Sequence, residues 1–272
     1  MSLEQRTAGH GKARGWIAAH QILSFFVLAY AISWSLWGIA ALGAGQVVFL
    51  LGGLGPLVSA ILITRVSGRS VREWLRSLLV WRVSPGYYAI ALLFPVAIYA
   101  VINLVLFSLG HKLDFSLLVG AVPGYLGTFL MVATVGGGFE EPGWRGFALP
   151  RLQARRNPLV STLLLGLAWG IWHIPLYGPA GFVVPVILAF FYTWLYNRTG
   201  SVLICLLLHA SFTPAQNLLT LAAAPAASDG EGLVDSTDLV IPGVYIGAAI
   251  CLTLATRGRL GFRSVKTDVG MH

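Results

Sequence analysis

Two adjacent carboxylates, an arginine and two histidines stand inside otherwise apolar stretches of this chain: Glu140, Glu141, Arg145, His173 and His209. An acid within a membrane-spanning segment costs roughly 2.5 to 3.5 kcal/mol on insertion scales, so it persists where it pairs, faces a cavity or does chemistry. In Phe139-Glu140-Glu141-Pro142-Gly143-Trp144-Arg145-Gly146, Pro142 suits the first turn of a helix, which predicts a helix starting near Glu140. Arg145 then lies one turn beyond Glu141, the acid on the N-terminal side, a spacing that favours an ion pair. Glu140 is left to accept a proton or bind a metal. A purely structural account of the same residues is a charge-balanced helix start at the membrane edge.

Of six histidines, only His173 and His209 fall well inside predicted spans. Imidazole and carboxylate together bind a zinc ion while leaving a position open for water, whose pKa such a site lowers to about 7. Glu140, His173 and His209 are therefore the candidate metal ligands, and a divalent metal such as zinc is the expected cofactor. On the last of these helices Thr213 and Asn217 follow His209 at i+4 and i+8 and share a broad face with it. Thr213 can support the imidazole or a reacting oxygen, or bond back to its own helix.

The elements that must position these groups are transmembrane helices. The chain has 272 residues, 57% hydrophobic and 10% charged, with mean hydropathy +0.78, which describes a polytopic all-α membrane protein. About eight apolar runs are long enough to span: 22–42, 47–64, 87–109, a run ending near Phe139, 158–177, 181–196, 201–221 and 239–255. The first run exceeds a signal peptide's apolar core of about 7 to 15 residues and reads as an uncleaved helix. Gly52-Gly53-Leu54-Gly55-Pro56 in the second predicts close helix contact. Between Arg65 and Arg82 a basic stretch with five arginines carries an amphipathic stripe, Trp74, Leu75, Leu78 and Leu79, expected to lie along the inner surface. Arg151, Arg155 and Arg156 form a second basic loop, and the C-terminal tail is basic too, whereas the loop holding Asp229, Glu231, Asp235 and Asp238 is acidic. The positive-inside rule then puts both termini in the cytoplasm. One integral-membrane domain covers 1–272, with tails at about 1–15 and 257–272. Basic residues confined to short loops speak against nucleic acid as a partner. Cys205 and Cys251 sit in apolar runs and read as small buried hydrophobes, and Asn103 as an interhelical hydrogen-bonding residue.

Depth constrains the arrangement further. If the fourth span ended at Phe139, Glu140 would lie at the membrane surface, while His173, 17 residues beyond Arg156, lies about 25 Å along a straight helix. Moving the fourth element to about Tyr125–Leu149 brings Glu140 and His209 each about 16 Å in. Gly136-Gly137-Gly138 then becomes a break whose following helix aims its positive end at the carboxylates. Irregular backbone at that depth requires protein or a water-filled cavity around it. In this frame Glu140, His173 and His209 converge within metal-sharing distance.

The ordered motifs Glu140-Glu141-x-x-x-Arg145, Trp169-x-x-x-His173 and His209-x-x-x-Thr213 resemble those of the intramembrane endopeptidase family that includes CAAX prenyl endopeptidases and bacteriocin-processing and self-immunity proteins. The resemblance implies that Glu140 activates a water for attack on a peptide carbonyl and that His173 and His209 act at the metal or on the oxyanion. It makes Glu140, Glu141, Arg145, His173, His209 and Thr213 the expected catalytic set, and a membrane-associated peptide or protein the expected substrate, in a bacterial or archaeal plasma membrane. Two positions depart from the family pattern: Trp169 replaces a usual Phe, a mild change, and Thr213 a usual Asn, whose amide Asn217 can or cannot replace. Two other functions compete. A non-catalytic immunity or binding protein can keep the same scaffold. A transporter with a proton relay calls for paired halves, and the sequence shows no such repeat. Neither a prenylated substrate nor an oligomeric state follows from the sequence.

Overall fold

The structure, a computed structural model, describes residues 14–222 and 236–262. The acidic loop through Asp229, Glu231 and Asp235 and most of both tails lie outside the described residues. Eleven helical stretches matter for the site: α1 (Gln21–Ile39), α2 (Gln46–Gly52), α3 (Gly55–Val66), α4 (Val71–Leu78), α5 (Pro85–Ser108), α6 (Leu117–Thr134), a composite α7 over 141–153, α8 (Pro158–Tyr177), α9 (Val183–Thr199), α10 (Val202–Leu218) and α11 (Ser236–Ala255). Leucines and valines such as Leu93, Leu104 and Val119 point outward from the bundle, as a protein solvated by lipid requires. This is an all-α, integral, multi-pass membrane protein. Among the described residues, five helices are long and apolar enough to cross a membrane, or six if the bent pair α2 and α3 counts as one span.

The second run is not one straight helix. It breaks between Gly52 and Gly55 and bends by 49°. A Cβ on Gly143 would come within 2.6 Å of the Pro56 backbone, so the start of α3 lies against the start of α7. The close contact expected of these glycines is made with the carboxylate-bearing segment itself. Asn103 bonds between helices as expected: its Nδ2 donates to the Leu219 carbonyl at 2.7 Å, and its Oδ1 accepts from the Leu221 amide at 2.8 Å.

α4, the amphipathic stretch, also docks on α7: Trp74 Nε1 donates to the Gly146 carbonyl at 3.2 Å, and Leu78 is buried against Gly146. Residues Trp144–Ala148 of the receiving helix, Gly146 among them, form a π-helical turn, a local irregularity frequent at functional sites.

Of the two frames for the fourth element, the structure adopts the broken one. α6 stops at Thr134, Val135 and Gly136 leave helical geometry, and a 3-10 turn over Gly137–Glu140 leads into α7. Gly138 is packed so closely that a Cβ would fall 2.8 Å from the Val132 carbonyl. α10, which carries the second histidine, packs against α5, α6 and α9. Ser201 caps its start, accepting from the Ile204 amide at 3.2 Å.

Candidate active site

Local sequence sets the ion pair first. Glu141 and Arg145, one turn apart in α7, meet at 2.9 Å with both side chains fully buried. The guanidinium is not satisfied by hydrogen bonds alone, since its Nε and Nη2 find no acceptor. It lies instead between two aromatic faces, 4.1 Å from the centre of the Trp169 ring and 4.3 Å from that of Tyr192. Desolvated cations over aromatic rings gain on the order of 2 kcal/mol.

The same carboxylate also reaches α10. Glu141 Oε1 accepts from His209 Nδ1 at 2.9 Å. A carboxylate beside a cation is an acceptor only, so Nδ1 carries the proton and the lone pair of the neutral ring resides on Nε2. His173 is fixed by the same logic, because its Nδ1 lies 2.8 Å from the Trp169 carbonyl, which can only accept. Both imidazoles are thereby set as Nε2 bases, the tautomer used by metal-bound or proton-accepting histidines whose other nitrogen is held by a carboxylate or a backbone carbonyl.

Glu140, 5% exposed, is not free as the spacing alone suggested. Its Oε2 accepts from Trp169 Nε1 at 2.9 Å. Replacement of the family's usual phenylalanine is therefore more than a mild change: the indole N–H grips the carboxylate while its ring face carries Arg145. Glu140 Oε1 remains, and it converges with His209 Nε2 over Gly137. A Cβ on Gly137 would stand 3.1 Å from the former and 2.7 Å from the latter. No motif singled out Gly137 for this role; the sequence showed it only as part of a helix break.

His173 and His209 both contact the Trp169 ring, with centroids 5.5 and 5.8 Å away. Trp169, His173, Tyr177, His209, Thr213 and Asn217 line a cavity of about 270 Å³. Thr213 Oγ1 donates to the His209 carbonyl at 3.2 Å, the bond back to its own helix, and does not support the imidazole.

The donor set, one carboxylate and two imidazoles each held by its other polar atom, is chemically suited to a divalent ion such as zinc. Among the described residues, however, no three His, Cys, Asp or Glu side chains are gathered as a metal site. The expectation of metal-sharing distance is met only in part: Glu140 and His209 converge, and a metal held by all three requires them to draw closer than they stand here.

Comparison with known proteins reaches the same segment. The model of the Type II CAAX prenyl endopeptidase Rce1-like family matches residues 122–213, which contain Glu140, Glu141, Arg145, Trp169, His173, His209 and Thr213. A protein named CAAX prenyl protease 2, from Methanococcus maripaludis, is 26% identical over 174 residues, covering 56% of this chain and 61% of the relative. The chain thus spans less than two thirds of the length of that relative.

Proposed function

We propose, from the match of residues 122–213 to the Rce1-like endopeptidase family and the similarity to a CAAX prenyl protease, that the chain is an intramembrane endopeptidase of the plasma membrane, hydrolysing a peptide bond in a membrane-associated protein or peptide. The observation that carries this reading is the convergence of Glu140 Oε1 and His209 Nε2 over Gly137, with His209 also lining the cavity of about 270 Å³. A general base must lie within hydrogen-bond reach of the proton it takes, and a water between these two atoms satisfies that condition for Glu140.

The residues divide the work as follows. Glu140 takes a proton from water as the water oxygen bonds to the carbonyl carbon, then returns it to the leaving nitrogen as the C–N bond breaks. Trp169 Nε1 holds Oε2 so that Oε1 is the basic atom. Arg145 fixes Glu141, and Glu141 fixes His209. His209 and His173 present Nε2 to the reacting oxygen or, with Glu140, would hold a divalent ion such as zinc. Such an ion, when bound, polarises the carbonyl and lowers the pKa of the attacking water. Enclosure by Trp169, Tyr177 and Phe212 limits bulk water, which strengthens each of these electrostatic contacts.

One observation favours the competing reading, a non-catalytic immunity or binding protein. Thr213 turns back on its own helix, so the position where the family usually has Asn supplies no donor to the site. The two readings separate on Glu140→Gln. Loss of all cleavage by a folded Glu140→Gln protein supports the peptidase. A native protein that cleaves nothing, with an unchanged binding function in Glu140→Gln, supports the alternative.

A further inference from the structure

A second cavity, about 580 Å³, opens away from the carboxylates, between the beginning of α1 and the loop joining α7 to α8. Its cationic side is formed by Arg151, Arg155 and Arg156, and its apolar side by Leu23, Phe26 and Leu164. No acidic side chain lines it among the described residues. Arg155 and Arg156 are exposed and have no ion-pair partner among the described residues. Arg151 is held in place, its Nε donating to Gln21 Oε1 at 2.9 Å and its Nη1 to the Phe147 carbonyl at 2.8 Å. The cavity also has a marked depth. Trp16, 51% exposed and stacked on His20 at 4.6 Å, stands beside it, and exposed tryptophans near helix ends sit at the headgroup level.

A site with arginines at headgroup depth and an apolar wall running inward matches a molecule with an anionic head and an acyl chain. We propose that this cavity binds an anionic phospholipid, its phosphate on Arg151, Arg155 and Arg156 and its chain along Leu23, Phe26 and Leu164. Basic pockets between transmembrane helices bind anionic headgroups by this combination, and arginine's planar fork suits phosphate oxygens. The site is separate from the peptidase reading and holds whether or not the protein cleaves anything.

The test is native mass spectrometry of the detergent-purified full chain, titrated in parallel with phosphatidylglycerol, phosphatidylcholine and water-soluble glycerol 3-phosphate. The expected result is about tenfold tighter retention of phosphatidylglycerol than of phosphatidylcholine, with little binding of glycerol 3-phosphate. Arg155→Gln/Arg156→Gln should reduce that preference to about twofold or less. Both side chains are exposed, so the double variant should keep its elution profile and melting temperature. Leu164→Trp, which fills the apolar wall and leaves the charges, should weaken both lipids. Equal retention of the two lipids by native protein, an unchanged preference in the double variant, or glycerol 3-phosphate binding as tightly as phosphatidylglycerol would each overturn the proposal.

Discussion

Glu140→Gln and Glu141→Gln differ by one position and should have opposite physical consequences. Glu141 is fully buried and bonded to both Arg145 and His209. Its amide replacement leaves the guanidinium without a counterion, in a place where two of its nitrogens already lack acceptors. Removing one partner of a buried ion pair costs about 3 to 5 kcal/mol. For a chain of this size that corresponds to a fall of on the order of 10 °C in melting temperature. Glu140 has no cation bonded to it, and its one hydrogen bond comes from Trp169, whose indole N–H a glutamine oxygen can still satisfy. Glu140→Gln should therefore melt within about 2 °C of the native protein, since the bond from Trp169 is retained and the change removes a buried charge that has no bonded counterion. The assay is loss of the monodisperse size-exclusion peak on heating in detergent. Glu141→Gln/Arg145→Met, which removes both charges, should recover part of the loss because no unpaired charge remains. A Glu141→Gln protein as stable as native, or a Glu140→Gln protein that melts far below it, would refute this assignment of the two acids.

Trp169→Phe keeps an aromatic face under Arg145 but deletes the donor to Glu140. A hydrogen bond to a charged group contributes about 1.5 to 3 kcal/mol, so turnover should fall about 10- to 100-fold, with a shifted pH profile, little change in KM and only a modest fall in melting temperature; an unchanged pH profile would remove the indole from the site. Gly137→Ala requires no unusual backbone angle yet puts a methyl group between Glu140 and His209. It should abolish cleavage in a folded protein, and full activity would show that the space over Gly137 is not where water reacts. Purified protein should hold about one divalent ion by elemental analysis, and His173→Ala/His209→Ala should lose it. Stoichiometric metal in that double variant would place the ion elsewhere.

Periodicity and charge made much of this arrangement legible. Apolar runs marked the long helices, and the Glu141–Arg145 pair followed from one-turn spacing inside a single helix, where local geometry decides the outcome. The broken fourth element was recoverable because a straight helix would have stranded Glu140 far from His173. What stayed hidden depends on contacts between distant segments. Trp169 and Glu140 are 29 positions apart, and Glu141 and His209 are 68 apart; no spacing rule links residues on different helices. The docking of α4 on Gly146 through Trp74 joins residues 72 positions apart, beyond the reach of the amphipathic stripe that placed α4 at a surface. Gly137 was legible as a break and illegible as a cradle. Its missing side chain matters only because two other elements aim polar atoms at it.

The central claim is that Glu140 carries peptide hydrolysis inside the membrane. It is tested most directly by expressing the native protein and Glu140→Gln at equal levels in native membranes and mapping new peptide termini of membrane proteins by mass spectrometry, with capture of bound polypeptides on each. At least one cleavage product should appear with the native protein and be absent with Glu140→Gln, its uncut precursor being retained on the variant. Identical sets of termini from the two folded proteins would contradict the account.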